Sequence, residues 1–228
     1  MPDPEAEKVA YSFFVAGHAY GTPGKPQLGL YTPFVEQFEW MQMEAELQFG
    51  VLTGDVVVTS NDANWDAVDE QLDQLGVETY LAAGNHDFQG QGDMQSGIDY
   101  FENRYGRAYY SFEKGNDLFI VLDPNRDAWN IGGDQLIWLQ QELNEKAIGA
   151  TNVFVFFHQL LWWTEDNIYR KVRLNSTQGR AESINFWTEV YPLFDALEKE
   201  VYMFAGDVGA NAVGDEFFYH QNGQVHFI

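Results

Sequence analysis

The residues best suited to chemistry in this chain stand where short apolar segments end. The segment LAAGNHDF, residues 81–88, leads directly into Asn85, His86 and Asp87, whose side chains bind protons, metals or hydrogen-bond partners. Other apolar segments end at His18, Asp55, His158 and Asp207. In an open α/β sheet, ligands gather beyond the carboxyl ends of the strands, so residues distant in sequence can converge there.

The types of these residues indicate which chemistry they would support. Histidine nitrogens combined with carboxylate and amide oxygens, without sulfur, suit Mn, Fe, Zn, Mg or Ni. Such an ion polarises a phosphoryl oxygen or activates water. Taken singly, each residue has an ordinary structural explanation, because a histidine after a strand commonly makes only hydrogen bonds and a Gly-Asp pair is commonly a turn. It is their joint placement that predicts a metal centre.

Strands and helices that alternate along the chain must position these residues. Helical patterns run from Phe34 to Ala45, from an N-cap at Asp134, and over about residues 185–198. Apolar runs of strand length lie at residues 11–17, 50–57, 78–84, 118–123, 152–158 and 201–207. This alternation predicts an α/β protein in which helices cover the faces of the sheets.

Two stretches predict antiparallel strands in addition. Residues 109–123 have the pattern of two strands around a Lys-Gly-Asn turn, and residues 217–228 have that of a hairpin around an Asn-Gly turn. With 228 residues and a hydrophobic content of 45%, the chain can bury one sizeable core. We expect an N-terminal extension, residues 1–10, followed by a single domain over residues 11–228.

Composition and charge exclude several classes of partner and site. Thirty-five Asp and Glu against 12 Lys and Arg give a net charge of -23, which argues against binding to nucleic acid or to anionic membranes. No run of 18 apolar residues occurs, and the start MPDPEAEKVA lacks the features of a secretory signal. We therefore expect a soluble protein with no membrane span. The absence of cysteine excludes disulfides and thiolate ligands, and fits a cytoplasmic protein as well as a mature exported one.

The series of motifs resembles that of the calcineurin-like metallophosphoesterases. The motifs of that family run Asp-x-His, Gly-Asp, Gly-Asn-His-Asp or Glu, a later His, and Gly-His-x-His, each just after a strand. Here the Gly-Asp at residues 54–55 and the Gly-Asn-His-Asp at residues 84–87 match in order and spacing, and His158 in VFVFFHQ matches the later His. The resemblance covers nearly the whole chain. It implies a four-layer α-β-β-α sandwich of two mixed sheets flanked by helices.

The resemblance also implies a role for each residue of the motifs. His86 faces the phosphate and acts as general acid to the leaving group, Asp87 orients His86, and His18 stabilises or orients water. The metal ligands that the resemblance implies are Asp55, Asn85, His158 and His18, and we expect Asp207 to act as a ligand in place of a histidine of the last motif.

Two motifs depart from the family pattern. Ala16 stands at the Asp of Asp-x-His, and residues 206–209, Gly-Asp-Val-Gly, replace Gly-His-x-His. In the two-metal site of the family, these losses leave one ion with only His18 and the shared Asp55, whereas the other ion keeps its candidate ligands. We therefore expect one divalent ion rather than two.

Basic residues are scarce, and four of the 12 lie in the segment YRKVRLNSTQGRAE, residues 169–182. This segment is either an exposed basic loop that balances the acidic surface or an anion clamp, in which Arg180 is the best candidate to bind substrate. Tyr20 is a second candidate to bind substrate. Its side chain would either contact the phosphate or only cover the site.

Together these expectations predict a metal-dependent hydrolase of phosphoesters, either a phosphatase or a phosphodiesterase, that uses a metal-activated water on a small phosphorylated substrate. The alternative is a non-catalytic binding or scaffolding protein of the same fold whose metal centre has degraded.

Overall fold

The computed structural model describes residues 10–21, 28–44, 47–208 and 219–228. Residues 1–9 of the expected N-terminal extension, Ala45 of the first expected helix and Gly209 of the last motif lie outside the described residues.

Strands and helices alternate along the described chain, as the sequence predicts. The strands are β1 (Ser12–Ala16), β2 (Leu47–Leu52), β3 (Glu78–Leu81), β4 (Tyr110–Lys114), β5 (Asp117–Val121), β6 (Val153–Phe157), β7 (Val201–Ala205), β8 (His220–Asn222) and β9 (Val225–Phe227). The α-helices are α1 (Thr32–Val35), α2 (Phe38–Met43), α3 (Asp62–Leu75), α4 (Met94–Tyr105), α5 (Gly133–Glu142) and α6 (Tyr191–Asp195). Short 3-10 turns cover His86–Phe88, Pro124–Asp127 and Ile168–Lys171, and π-helical segments cover Leu143–Ala147 and Phe186–Val190.

The strands form two sheets. Strands β1, β2 and β3 lie side by side in a three-stranded sheet, and neighbouring strands run parallel. The other sheet has the strand order β4-β5-β6-β7-β9-β8 and is parallel at its centre. Its two ends are the antiparallel pairs β4–β5 and β8–β9, which confirms the two predicted hairpins.

Successive side chains of a strand point to opposite faces of its sheet, and one apolar face of each sheet packs against the other sheet. On β2, Phe49 and Val51 point to the six-stranded sheet, and on β5, Phe119 and Val121 point back. Phe119 lies at the centre of this layer, and its ring contacts the rings of Phe13, Phe49, Phe112 and Phe154 at centroid distances of 4.9–5.6 Å. The aromatic content of the strands therefore forms the interface between the sheets.

Helices cover the outer face of each sheet. Buried residues of α2, α3 and α4, such as Trp65 and Phe101, pack on the three-stranded sheet, and Leu139 of α5 and Phe194 of α6 pack on the six-stranded sheet. This arrangement confirms the predicted four-layer α-β-β-α sandwich. Among the described residues, no helix has the length and apolar composition that crossing a membrane requires.

The predicted helices are found with different boundaries. The first is divided into α1 and α2, although Phe34 and Phe38 still pack together with ring centroids 5.4 Å apart. The N-cap of α5 is Gly132 rather than Asp134, which lies in the first turn of the helix. The helix dipole stabilises a carboxylate in the first turn of a helix as well as at the N-cap. An acidic residue at the start of a helical pattern therefore fits either position.

Truncation of Phe119 tests the role of the layer between the sheets. We expect Phe119→Ala to lower the free energy of unfolding by about 3–5 kcal/mol, because the fully buried ring would leave a cavity. The matched control is Ile148→Ala, since the Ile148 side chain is 83% exposed. Chemical denaturation measures both. Equal losses in the two variants would contradict a core centred on Phe119.

Candidate metal centre

The side chains predicted from the strand ends come together at one edge of the sandwich. His18 follows β1, Asp55 follows β2 and His86 follows β3, whereas His158 and Asp207 follow β6 and β7 of the other sheet. The Nε2 atom of His18 lies 3.2 Å from Asp55 Oδ2, that of His158 lies 3.3 Å from Asp55 Oδ1, and that of His86 lies 4.0 Å from Asp55 Oδ2. Three imidazole rings thus converge on one carboxylate.

Backbone hydrogen bonds hold the strand-end loops against each other. The N–H of His18 donates to Gly54 O at 3.1 Å, and that of Asp207 donates to His158 O at 2.8 Å. Across the sheets, His158 Nδ1 lies 2.9 Å from Thr53 O. The position of each ligand therefore depends on loops from both sheets.

The loops approach so closely that glycine is required at two positions. A Cβ atom on Gly84 would lie 2.3 Å from the backbone nitrogen and from Oδ1 of Asp55, and one on Gly54 would lie 2.4 Å from His158 Nδ1. Gly54 also has a φ angle of +90°. His18 and Asp55 themselves have positive φ angles of 48° and 53°. Such strain in non-glycine residues is concentrated at functional sites, where the surrounding structure imposes it.

The hydrogen bonds of the three rings fix which nitrogen faces the carboxylate. In each ring Nδ1 lies 2.8–3.1 Å from a backbone carbonyl oxygen: Gly206 for His18, Val58 for His86 and Thr53 for His158. Because a carbonyl oxygen only accepts, Nδ1 must be the donor, and in the neutral ring Nε2 carries the lone pair. In the neutral rings, lone pairs of nitrogen and of carboxylate oxygen then point at one another, and either a proton on Nε2 or a bound cation removes this repulsion. In histidines that bind metals, the ring nitrogen that does not bind the ion commonly donates a hydrogen bond of this kind to a backbone carbonyl.

Buried atoms without a hydrogen-bond partner support the same conclusion. His158 Nε2 and Asp207 Oδ1 are both buried and unpaired within the described residues. Asp207 Oδ1 lies 3.6 Å from His18 Nε2 and 3.9 Å from His158 Nε2. The ligand atoms of His18, Asp55 and His158 all lie within 4.8 Å of one another. A divalent ion would satisfy these atoms, so the residues present fit a metal centre.

The electrostatics of the site favour positive charge. Burial would raise the pKa of Asp55, but the charges of His158 and His18 outweigh it and hold this pKa below its ordinary value. Burial lowers the pKa of His158, but the charges of Asp55 and Asp207 raise it to about 9. A proton on His158 Nε2 and a metal ion would therefore compete for one lone pair.

Asp87 has a different set of contacts from the one expected. Its fully buried carboxylate accepts hydrogen bonds from the N–H groups of Val56 and Val57 at 2.8 and 3.0 Å and of Gly84 at 2.8 Å. Burial, and then the charge of Asp55, raise its pKa to about 7. Since the ring of His86 bonds Val58 O instead, Asp87 acts on His86 only through the backbone of the loop.

Tyr20 and Asn85 lie at the same edge. The ring of Tyr20 is centred 5.7 Å from that of His18 and 5.4 Å from that of His86. Burial raises the pKa of Tyr20, and the charges of Asp55, Asp207 and Asp87 add to this effect. Asn85 stands between Gly84, whose backbone lies against Asp55, and His86, whose N–H donates to Asp55 Oδ1 at 3.0 Å.

The fold and this geometry can be compared with known proteins. No family model and no curated protein matches the chain. Among solved structures, the purple acid phosphatase PPD1 from yellow lupin (Lupinus luteus) seeds is similar, with a TM-score of 0.59 and 14% sequence identity. The similarity covers 86% of this chain and 38% of that chain. The two chains share a fold in which two packed sheets are flanked by helices. At this identity the likeness shows the fold alone.

Arg180 does not join the groups around Asp55. Its guanidinium lies over the rings of Trp129 and Trp163, at 5.9 and 5.7 Å from their centroids, and donates to Trp163 O at 3.3 Å. Burial lowers its pKa, and the charge of Glu165 opposes this effect. It lines a cleft of about 640 Å³, formed by residues 163–166, 177 and 180–184.

Asn175 is a residue at the centre that the sequence analysis did not select. Its Nδ2 atom lies 3.1 Å from His18 Nε2. Asn175 belongs to no family motif and does not follow an apolar strand. The only signal in the sequence was its position in the segment after His158, where the basic residues drew attention instead.

Substitution of Asp55 tests the metal centre. We expect Asp55→Ala to abolish binding of a divalent ion, because all three imidazole rings face this carboxylate. The control is Asp73→Ala, which removes an exposed carboxylate of α3. Elemental analysis after dialysis against Mn²⁺ measures the bound metal. Wild-type metal content in Asp55→Ala would exclude this centre.

Proposed function

We propose that this protein is a metal-dependent hydrolase of phosphoesters that uses a metal-activated water. The observation that carries the proposal is the convergence of the Nε2 atoms of His18 and His158 with two buried carboxylates, Asp55 and Asp207, at the strand ends of a metallophosphoesterase fold. A small phosphorylated molecule is the proposed substrate.

The proposed ligands divide into a buried set and a more open one. His158, Asp55 and Asp207 are almost fully buried, whereas His18 is 11% exposed. Asn85 adds an amide oxygen at the same edge. When bound, a divalent ion lowers the pKa of water and neutralises charge on a phosphoryl oxygen. Mixed nitrogen and oxygen donors suit Mn, Fe, Zn, Mg or Ni.

We assign His86 the role of general acid. Its ring is the most exposed of the three, at 31%, and its Nε2 is the farthest from Asp55, at 4.0 Å. As a general acid the ring acts in its cationic form, in which Nδ1 keeps its bond to Val58 O and Nε2 carries a second proton toward the open side. A leaving oxygen that arrives there would take this proton. Asp87 keeps the loop in place through its three backbone hydrogen bonds.

Tyr20 and Arg180 are the proposed contacts to substrate. The phenol of Tyr20 stays protonated because its pKa is raised by burial and by nearby carboxylates, so it can donate to a phosphoryl oxygen between His18 and His86. Arg180 lines a cleft on the same segment as Asn175, and we propose that it contacts the part of the substrate beyond the phosphoryl group. Its stacking between Trp129 and Trp163 holds the guanidinium in one orientation.

Activity against phosphate esters tests the proposal. With Mn²⁺ present, we expect hydrolysis of phenyl phosphate or of bis(4-nitrophenyl) phosphate, a monoester and a diester. Absence of turnover with either ester and with each of the five metals, in protein that binds the ion, would support the non-catalytic alternative instead.

The role of His86 has a separate signature. We expect His86→Ala to keep the metal and to lower kcat by about 10²–10⁴-fold on phenyl phosphate, whose leaving group needs a proton. The loss should be smaller on 4-nitrophenyl phosphate, whose leaving group is a weaker base. His220→Ala is the control, because His220 lies on edge strand β8 and packs on the ring of Tyr169. An equal loss on both esters, or loss of metal, would contradict the assignment.

We also propose one ion per chain. Ala16 ends β1 without a donor atom, and the described residues contain one cluster of His and carboxylate ligands, that of His18, Asp55 and His158. Calorimetric titration with Mn²⁺ should give a stoichiometry of about one. A second site of comparable affinity, filled in the wild-type protein, would overturn this expectation.

A further inference from the structure

The side chain of Asn175 reaches the candidate metal centre from an exposed loop. The residue is exposed, yet its Nδ2 atom lies 3.1 Å from Nε2 of His18, the ring nitrogen that faces Asp55. An exposed carboxamide normally bonds water, whereas this one contacts a candidate ligand of the metal.

Backbone contacts fix Asn175 in this position. Leu174 pairs with Val208 in an antiparallel bridge, and the N–H of Asn175 lies 3.5 Å from Asp207 O. The segment between β6 and β7 is thereby attached to the loop that carries Asp207. The Asn175 side chain is held beside the centre before any ion binds.

The contact between Asn175 and His18 cannot persist unchanged when a cation binds. His18 Nδ1 donates to Gly206 O, so the Nε2 lone pair is the only acceptor that the ring offers to Asn175. A cation on His18 needs that same lone pair. The carboxamide must then give up its N–H bond, and a half-turn of the amide places Oδ1 where Nδ2 was.

The distance suits an oxygen ligand. Two ligands that bind one ion at right angles, each at about 2.1 Å, lie about 3.0 Å from each other. Asn175 Nδ2 is 3.1 Å from His18 Nε2, close to the 3.2 and 3.3 Å that separate Asp55 oxygens from the Nε2 atoms of His18 and His158. After the amide turns, Oδ1 of Asn175 would have the same spacing as the other ligands.

We infer that Asn175 is a ligand of the metal ion through its side-chain oxygen. The inference rests on the metal centre of the proposed function. It assigns a donor from the segment between β6 and β7 to the His18 side of the centre. An amide oxygen is a ligand that Mn²⁺ and Mg²⁺ accept readily.

Titration calorimetry with Mn²⁺ on the full chain tests the inference. We expect Asn175→Ala to weaken Mn²⁺ binding by about 10-fold or more, and Asn175→Asp, which keeps an oxygen in place, to bind at least as tightly as wild type. The matched control is Gln178→Ala, an exposed carboxamide three residues along the same segment, for which we expect wild-type affinity. Thermal unfolding in the presence of chelator should be the same for all four proteins, because Asn175 is exposed.

The outcomes separate this inference from the proposed function. Wild-type Mn²⁺ affinity in Asn175→Ala overturns the inference, and does so even if that variant loses hydrolysis, since Asn175 would then act on substrate. Loss of affinity in both Asn175→Ala and Asn175→Asp overturns it as well, because a carboxylate oxygen should replace the amide oxygen. If the wild-type protein binds Mn²⁺ but hydrolyses no ester, the proposed function fails while the calorimetric comparison still decides the role of Asn175.

Discussion

The structure of the site depends on one buried carboxylate. Asp55 is 1% exposed, and burying an ionised group costs several kcal/mol unless opposite charge compensates it. Three imidazole rings surround it, each fixed by an Nδ1 hydrogen bond to a backbone carbonyl, so the compensation comes from positive charge at the Nε2 atoms, supplied by a proton or by a bound cation. The glycines at 54 and 84 and the positive φ of Asp55 are the local consequences of bringing this group so close to other loops. The packed sandwich holds these strained loops together.

Much of this arrangement could be predicted from sequence because parallel strands end at a common edge. Five of the six apolar runs end in or just before a ligand type, and this pattern predicts that Asp55, His158 and Asp207 lie together although 152 residues separate the first from the last. The hairpins were equally visible, since an Asn-Gly turn and alternating apolar residues are local signals. The first residue of α5 is harder to predict from sequence, because an acidic residue near the start of a helix fits both the N-cap and the first turn.

The parts that sequence reasoning missed depend on contacts without a local signature. Asp87 was expected to orient His86, but its partners are backbone N–H groups of Val56, Val57 and Gly84, which any sequence would provide. Asn175 reaches His18 only because Leu174 pairs with Val208, a bridge between two irregular segments. Arg180 was chosen for its charge, whereas its orientation is set by two tryptophan rings and a carbonyl. The apolar pattern of the sequence identifies residues at strand ends, whereas contacts between loops are seen only in the structure.

The same segment between β6 and β7 also bears on how an anionic substrate could approach. A net charge of -23 repels a phosphoester at long range, so positive charge must be concentrated where the substrate enters. Arg170, Lys171 and Arg173 are exposed in the segment whose Asn175 lies against the centre, and Arg180 lines the cleft that the segment helps to form. The contact at His18 therefore does more than place one amide. It also ties the segment that carries Arg173, two residues before Asn175, to the edge of the centre, where under the proposed function positive charge would offset the repulsion of the acidic surface.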